Sequence, residues 1–252
     1  MYDPPGYLWA ITIAGMIAIP AVTCVVLYGG AMRGGLGRKR AVLLAGAAAV
    51  VLGGWFAASA VIAGHGWYHA RLGHGVPWMP VAALGFLGLL LALRQIPVVA
   101  RVLAAPGMVS RLEIPHAFRV GGVAFVITMA LGHLPALFAL PAGLGDMATG
   151  IAAPFVALRL ARGTGRRAAL WLNAFGMTDL VTALVLGGLV GFQLIHTTPS
   201  GAPISGLPFA LIPTVGVPLL LSLHISSVLG LIRSARAGQP AAGQPGALTQ
   251  AA

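Results

Sequence analysis

Seven long apolar runs constrain this chain more than anything else in its sequence. They extend from Tyr7 to Gly30, Ala41 to Gly64, Pro80 to Ala100, Ala117 to Leu140, Asp146 to Leu160, Ala168 to Ile195 and Pro208 to Ile232. About 20 residues of helix cross a hydrocarbon core. The fifth run is shorter and needs extension back through Pro141 or a locally thinned bilayer. Only 8% of the 252 residues are charged and 58% are hydrophobic, with a mean hydropathy of +0.94. A soluble domain carries roughly 25% charged residues. The chain therefore reads as all-α, a polytopic integral membrane protein built as a bundle of about seven transmembrane helices. The lipid bilayer is its first partner, in a cell membrane, with a bacterial inner or plasma membrane as the expected setting.

The basic residues orient the bundle. Loop 1 holds Arg33, Arg38, Lys39 and Arg40; the third connection and its flanks hold Arg94, Arg101, Arg111 and Arg119. The fifth connection holds Arg159, Arg162, Arg166 and Arg167, and the tail holds Arg233 and Arg236. With seven spans, fourteen of the fifteen Lys and Arg residues fall on one side, Arg71 being the exception. This bias places the N-terminus outside and the C-terminus in the cytoplasm. The net charge of +11 is thus topological. With no aromatic interleaving and no basic domain, it does not indicate nucleic-acid binding. The first run has neither a positive flank nor a small-residue cleavage site, so it is kept as a span. One transmembrane domain over residues 1–236 and a disordered cytoplasmic tail over 237–252, with a repeated Ala-Gly-Gln-Pro, are expected.

Polar residues deep in apolar runs are candidates for function, because a charge at mid-bilayer is costly. Asp179 lies roughly 16 Å into the sixth run by helical rise. It is expected to be neutral or paired, with Asn173 and Thr182 nearby in sequence. His224 sits in the seventh run among Ser222, Ser226 and Ser227. A proton relay or a small-solute site using Asp179, His224, Asn173 and Thr182 is one reading; an interhelical brace is the other. Arg94 can snorkel to the surface.

A second set lies toward the outer face: His65, His69, His74, His133, His196 and Asp146. These nitrogen and oxygen donors suit zinc or copper, and His133 with His196 is the nearest match for axial haem ligands. His65 and His69 share a face if the second helix reaches them. Alternatively, the histidines form a polar interfacial cap beside Trp55, Trp67, Tyr68 and Trp78. The Gly-rich stretch Pro141–Gly150 favours Asp146 as a helix N-cap over a metal ligand. Glu113-Ile-Pro-His116 resembles a helix entrance, with Glu113 paired to Arg111 or Arg119.

Several mechanisms lack their residues. There is no Gly-x-x-x-x-Gly-Lys-Ser/Thr phosphate loop, no Gly-x-Ser-x-Gly elbow, and no lysine in the last run to hold retinal. Cys24 stands alone. Three classes remain: a carrier of a small solute or protons; a redox or metal protein; and a non-catalytic subunit or assembly factor working with other membrane subunits.

Overall fold

The computed structural model describes residues 2–69 and 76–237, and every regular element among them is helical. Helices α1 (Gly6–Arg33) and α2 (Arg38–Gly64) form a hairpin. Helix α3 (Trp78–Leu93) is followed by the short α4 (Pro97–Leu103), which leaves it at 88°. Pro97 explains the bend: it excludes the residue before it from helical geometry, and Ile96 is extended at φ −59°, ψ 127°. Next come α5 (Met108–Leu112), a 3-10 helix over Ile114–Gly122 and α6 (Val123–Ala130), which together make one apolar rod from Met108 to Ala130. The bundle closes with α7 (Ala136–Ala161), α8 (Arg166–Gly191), a π-helical turn over Ile212–Gly216 and α9 (Val217–Ala237).

Six of these rods are long and apolar enough to cross a membrane, or seven if the bent α3–α4 pair counts as one span. The last rod is 78% buried over its apolar window, against 11% for α2. Thus α9 is the central post and α2 a peripheral one.

The largest departure from the sequence expectation concerns the fourth and fifth runs. The turn between them lies at Leu131–Pro135, with Gly132 at φ +78°, and not in the Pro141–Gly145 stretch. Consequently α7 is a full-length helix that contains Pro141 and Pro154. Gly and Pro act as punctuation in soluble helices, whereas neighbouring membrane helices absorb them. Asp146 is therefore inside α7 and is no N-cap. The expected face shared by His65 and His69 also fails, since α2 ends at Gly64 and His65 is its C-cap. His74, Arg71 and the tail beyond residue 237 lie outside the described residues.

The π-helical turn is pinned to α2 by a chain of hydroxyls. Thr214 donates to the Ala210 carbonyl at 2.6 Å, which leaves its oxygen to accept from Ser59 at 2.7 Å. Ser59 in turn accepts from the Tyr68 phenol at 3.1 Å, and Trp55 Nε1 donates to the Thr214 carbonyl at 2.8 Å. The chain ends on a carbonyl that cannot pass a proton on, so it is a brace. Burial raises the Tyr68 pKa above its usual value. A raised folded-state value gives stability that is complete below the unfolded pKa of about 10 and is lost as pH rises through the folded value. Tyr68→Phe is expected to cost about 1 kcal/mol near neutrality. The difference from the parent melting temperature should narrow above about pH 10; a constant gap would remove the phenol from this role.

Candidate functional site

The 3-10 helix has a chemical consequence. At three residues per turn, positions i, i+3 and i+6 eclipse one another, so Glu113, His116, Arg119 and Gly122 share one face. All three side chains are buried: Glu113 and His116 are 0% exposed and Arg119 is 3% exposed. Across from them, α8 presents Asn173, Gly176 and Asp179 at the same spacing of three, all buried. The two ladders join at both ends. Asn173 Nδ2 donates to Glu113 Oε1 at 2.7 Å, and Arg119 Nη2 donates to Asp179 Oδ2.

Arg119 organises the upper end. Its Nε donates to Asp146 Oδ1 of α7 at 2.7 Å, so one guanidinium bridges two carboxyls from facing helices. Its Nη1 reaches the Gly176 carbonyl at 3.4 Å and His224 Nε2 at 3.1 Å. Guanidinium can only donate, so His224 Nε2 accepts and its Nδ1–H donates to Asn173 Oδ1 at 2.8 Å. That orients the Asn173 amide, whose nitrogen also donates to the Ala169 carbonyl at 2.8 Å. Ser227 donates to Glu113 Oε1 at 2.5 Å. Gly176 is required by close approach: a Cβ there would lie 2.5 Å from His224 Nε2 and 2.9 Å from Arg119 Nη1.

Not every group is satisfied. Glu113 Oε2 and both ring nitrogens of His116 are buried without a hydrogen-bond partner among the described residues. The His116 ring stacks on His224 with centroids 3.7 Å apart and planes 21° apart. Asp146 borders two cavities. One, of about 200 Å³, is apolar and lies among Met79, Ala83, Leu180, Leu184 and Val217; the other, of about 30 Å³, lies among Thr12, Gly15, Gly122 and Gly216.

Of the residues singled out from sequence, Asp179, His224 and Asn173 meet in this network, and Thr182 is half-buried outside it. Asp146 joins them through Arg119, away from the histidines with which it was grouped. Those histidines take other roles. His133 is exposed with its ring 4.1 Å from that of Tyr2 and tilted by 32°, His196 is exposed, and His69 Nδ1 lies 3.0 Å from the Gly66 carbonyl. Among the described residues, the group whose positions suit a metal is instead Glu113, His116 and His224. The helix-entrance reading of Glu113 is also corrected: Asn173 and Ser227 hold it, with no ion pair to Arg111 or Arg119. The sequence signal for Arg119 and its neighbours was the spacing Glu-x-x-His-x-x-Arg, a polar period of three inside apolar surroundings.

A family model described as a domain of unknown function (DUF8737) matches residues 76–232. The chain belongs to this family. Every member of the network from Glu113 to Ser227 falls inside the DUF8737 stretch, whereas α1 and α2 precede it. No curated protein and no solved structure matches the chain.

Proposed function

We propose that the chain is a multi-pass protein of the cell membrane that carries protons, alone or coupled to a small solute, through Asp146, Arg119 and Asp179. The supporting observation is the single guanidinium held between two acids of α7 and α8. One positive charge compensates one carboxylate, and the second acid becomes a place where a proton or small cation can enter and leave a low-dielectric interior. Asp146 has space on both sides. The smaller cavity exceeds the roughly 10–15 Å³ that one water needs, and Thr12 Oγ1 beside it is unpartnered. His224 serves here as a latch, since both of its nitrogens are engaged in holding Arg119 and Asn173.

The test is proton flux in vesicles containing the purified chain and an internal pH dye. Uptake above that of empty vesicles after an acid pulse is the expected result. Background flux, with and without an imposed voltage, would leave the network as a brace.

The topology that goes with this reading has seven crossings, with the N-terminus outside. Helix α3 and the bent α4 count together as the seventh crossing. The 16 residues of α3 extend about 24 Å, short of the roughly 30 Å core, so this crossing needs a locally thinned bilayer, with α4 turning along the cytoplasmic surface. In a Cys24→Ser background, an impermeant maleimide applied to intact cells should label Val76→Cys and spare Thr164→Cys. Labelling of both sites, or of Thr164→Cys alone, would reject this sidedness.

A further inference from the structure

The unsatisfied atoms at the lower end of the network have a common geometry. Glu113 Oε2 and the two His116 nitrogens are buried and unpartnered. Leaving a buried polar atom unpaired is costly, so an unpartnered carboxylate oxygen beside an unpartnered imidazole points to a missing ligand. One donor atom each from Glu113, His116 and His224 lies within 4.8 Å of the others. We propose that Glu113, His116 and His224 hold a divalent transition-metal ion of the zinc class.

The donor set, two imidazoles and one carboxylate without thiolate, suits zinc and its first-row neighbours. Two of the three ligands are already oriented by their other atoms, as metal ligands usually are. Asn173 and Ser227 occupy Glu113 Oε1 and leave Oε2 unpartnered as its donor atom. Asn173 Oδ1 takes the Nδ1–H of His224 and leaves the Nε2 lone pair as its ligand atom. His116 has no partner to hold it. It must turn about its Cβ–Cγ bond, because rings stacked 21° apart do not aim their lone pairs at one point. Tetrahedral zinc at about 2.0–2.1 Å from each donor brings them to roughly 3.4 Å apart, a closure within reach of side-chain rotation.

His224 Nε2 presently accepts from Arg119 Nη1. The ion and the guanidinium therefore compete for one lone pair. Metal binding shifts Nη1 onto the Gly176 carbonyl alone while Nε and Nη2 keep Asp146 and Asp179.

The experiment uses the full chain in mild detergent, stripped with chelator, loaded with zinc, washed and analysed for total metal. Near one zinc per chain is expected in the parent and in the His65→Ala/His69→Ala double variant. His116→Ala and Glu113→Gln should each retain less than a tenth of that. Zinc should also raise the parent melting temperature and leave that of His116→Ala unchanged, which separates loss of a ligand from loss of the fold. Cobalt loading should give the parent a visible absorption band that His116→Ala lacks. An unloaded parent would overturn the assignment, as would full stoichiometry in both His116→Ala and Glu113→Gln. Neither outcome bears on proton flux through Asp179, which is outside the ligand set.

Discussion

Arg119→Gln is expected to destabilise the chain by about 3–5 kcal/mol, the usual consequence of removing one partner from a buried ionic group. Two carboxyls from different helices lose the one cation they share among the described residues, and His224 loses the donor at Nε2. In detergent this should appear as a melting temperature lower by ten degrees or more, on the order of the stability change, or as loss of monodisperse protein. Arg119→Lys should be intermediate, because a single ammonium cannot reach Asp146, Asp179, Gly176 and His224 together. The informative control is Asp146→Asn/Asp179→Asn/Arg119→Gln. Removing all three charges leaves none uncompensated, so the triple variant should be more stable than Arg119→Gln alone. Equal stability of Arg119→Gln and the parent, or no rescue in the triple variant, would refute the central role given to the guanidinium.

Asp179→Asn should separate carriage from bracing. The substitution preserves size and leaves the Arg119–Asp146 pair charge-balanced, so the melting temperature should stay within a few degrees of the parent. Proton flux in vesicles should fall at least tenfold, on the order of the contribution of a positioned proton-transfer group. Asp179→Leu should harm folding more, since it strips Arg119 of a partner and sets a branched apolar group against Gly145, which already touches the Asp179 carboxylate. Unchanged flux in well-folded Asp179→Asn would end the relay assignment. Asp146→Asn and Asp179→Asn should each fold where the double Asn variant does not, because either acid alone balances Arg119.

The apolar rods were legible because nothing else explains so few charges, and depth within a run picked out Asp179 and His224. Asn173 followed from proximity on the same helix. Arg119 was misplaced for a physical reason: an arginine near a span end counts as a topological charge, and only tertiary structure reveals that it turns inward. Asp146 was misread because Gly and Pro around Pro141 imitate a turn. That shift of one boundary also moved the acid from mid-helix to a helix start. Glu113 and His116 escape the sequence reading because the fourth apolar run starts at Ala117, which leaves both in a connection as a helix entrance, whereas the folded rod begins at Met108 and buries them. The 88° bend after α3 was prefigured by Pro97, yet hydropathy alone carried the third run through it.

The winding of the 3-10 segment Ile114–Gly122 sets where its polar side chains point. Winding it as an α-helix would reduce each step from about 120° to 100° and each rise from about 2.0 Å to 1.5 Å. Over the six steps from Glu113 to Arg119, that is a rotation of about 120° and a shortening of about 3 Å. With Glu113 anchored by Asn173 and Ser227, the whole angular change would fall on the arginine. The guanidinium would swing from between the two acids toward another wall of the bundle, leaving Asp146 and Asp179 facing each other. Backbone winding and the location of the buried positive charge are thus geometrically linked: the 3-10 pitch of this segment is what places Arg119 between Asp146 and Asp179.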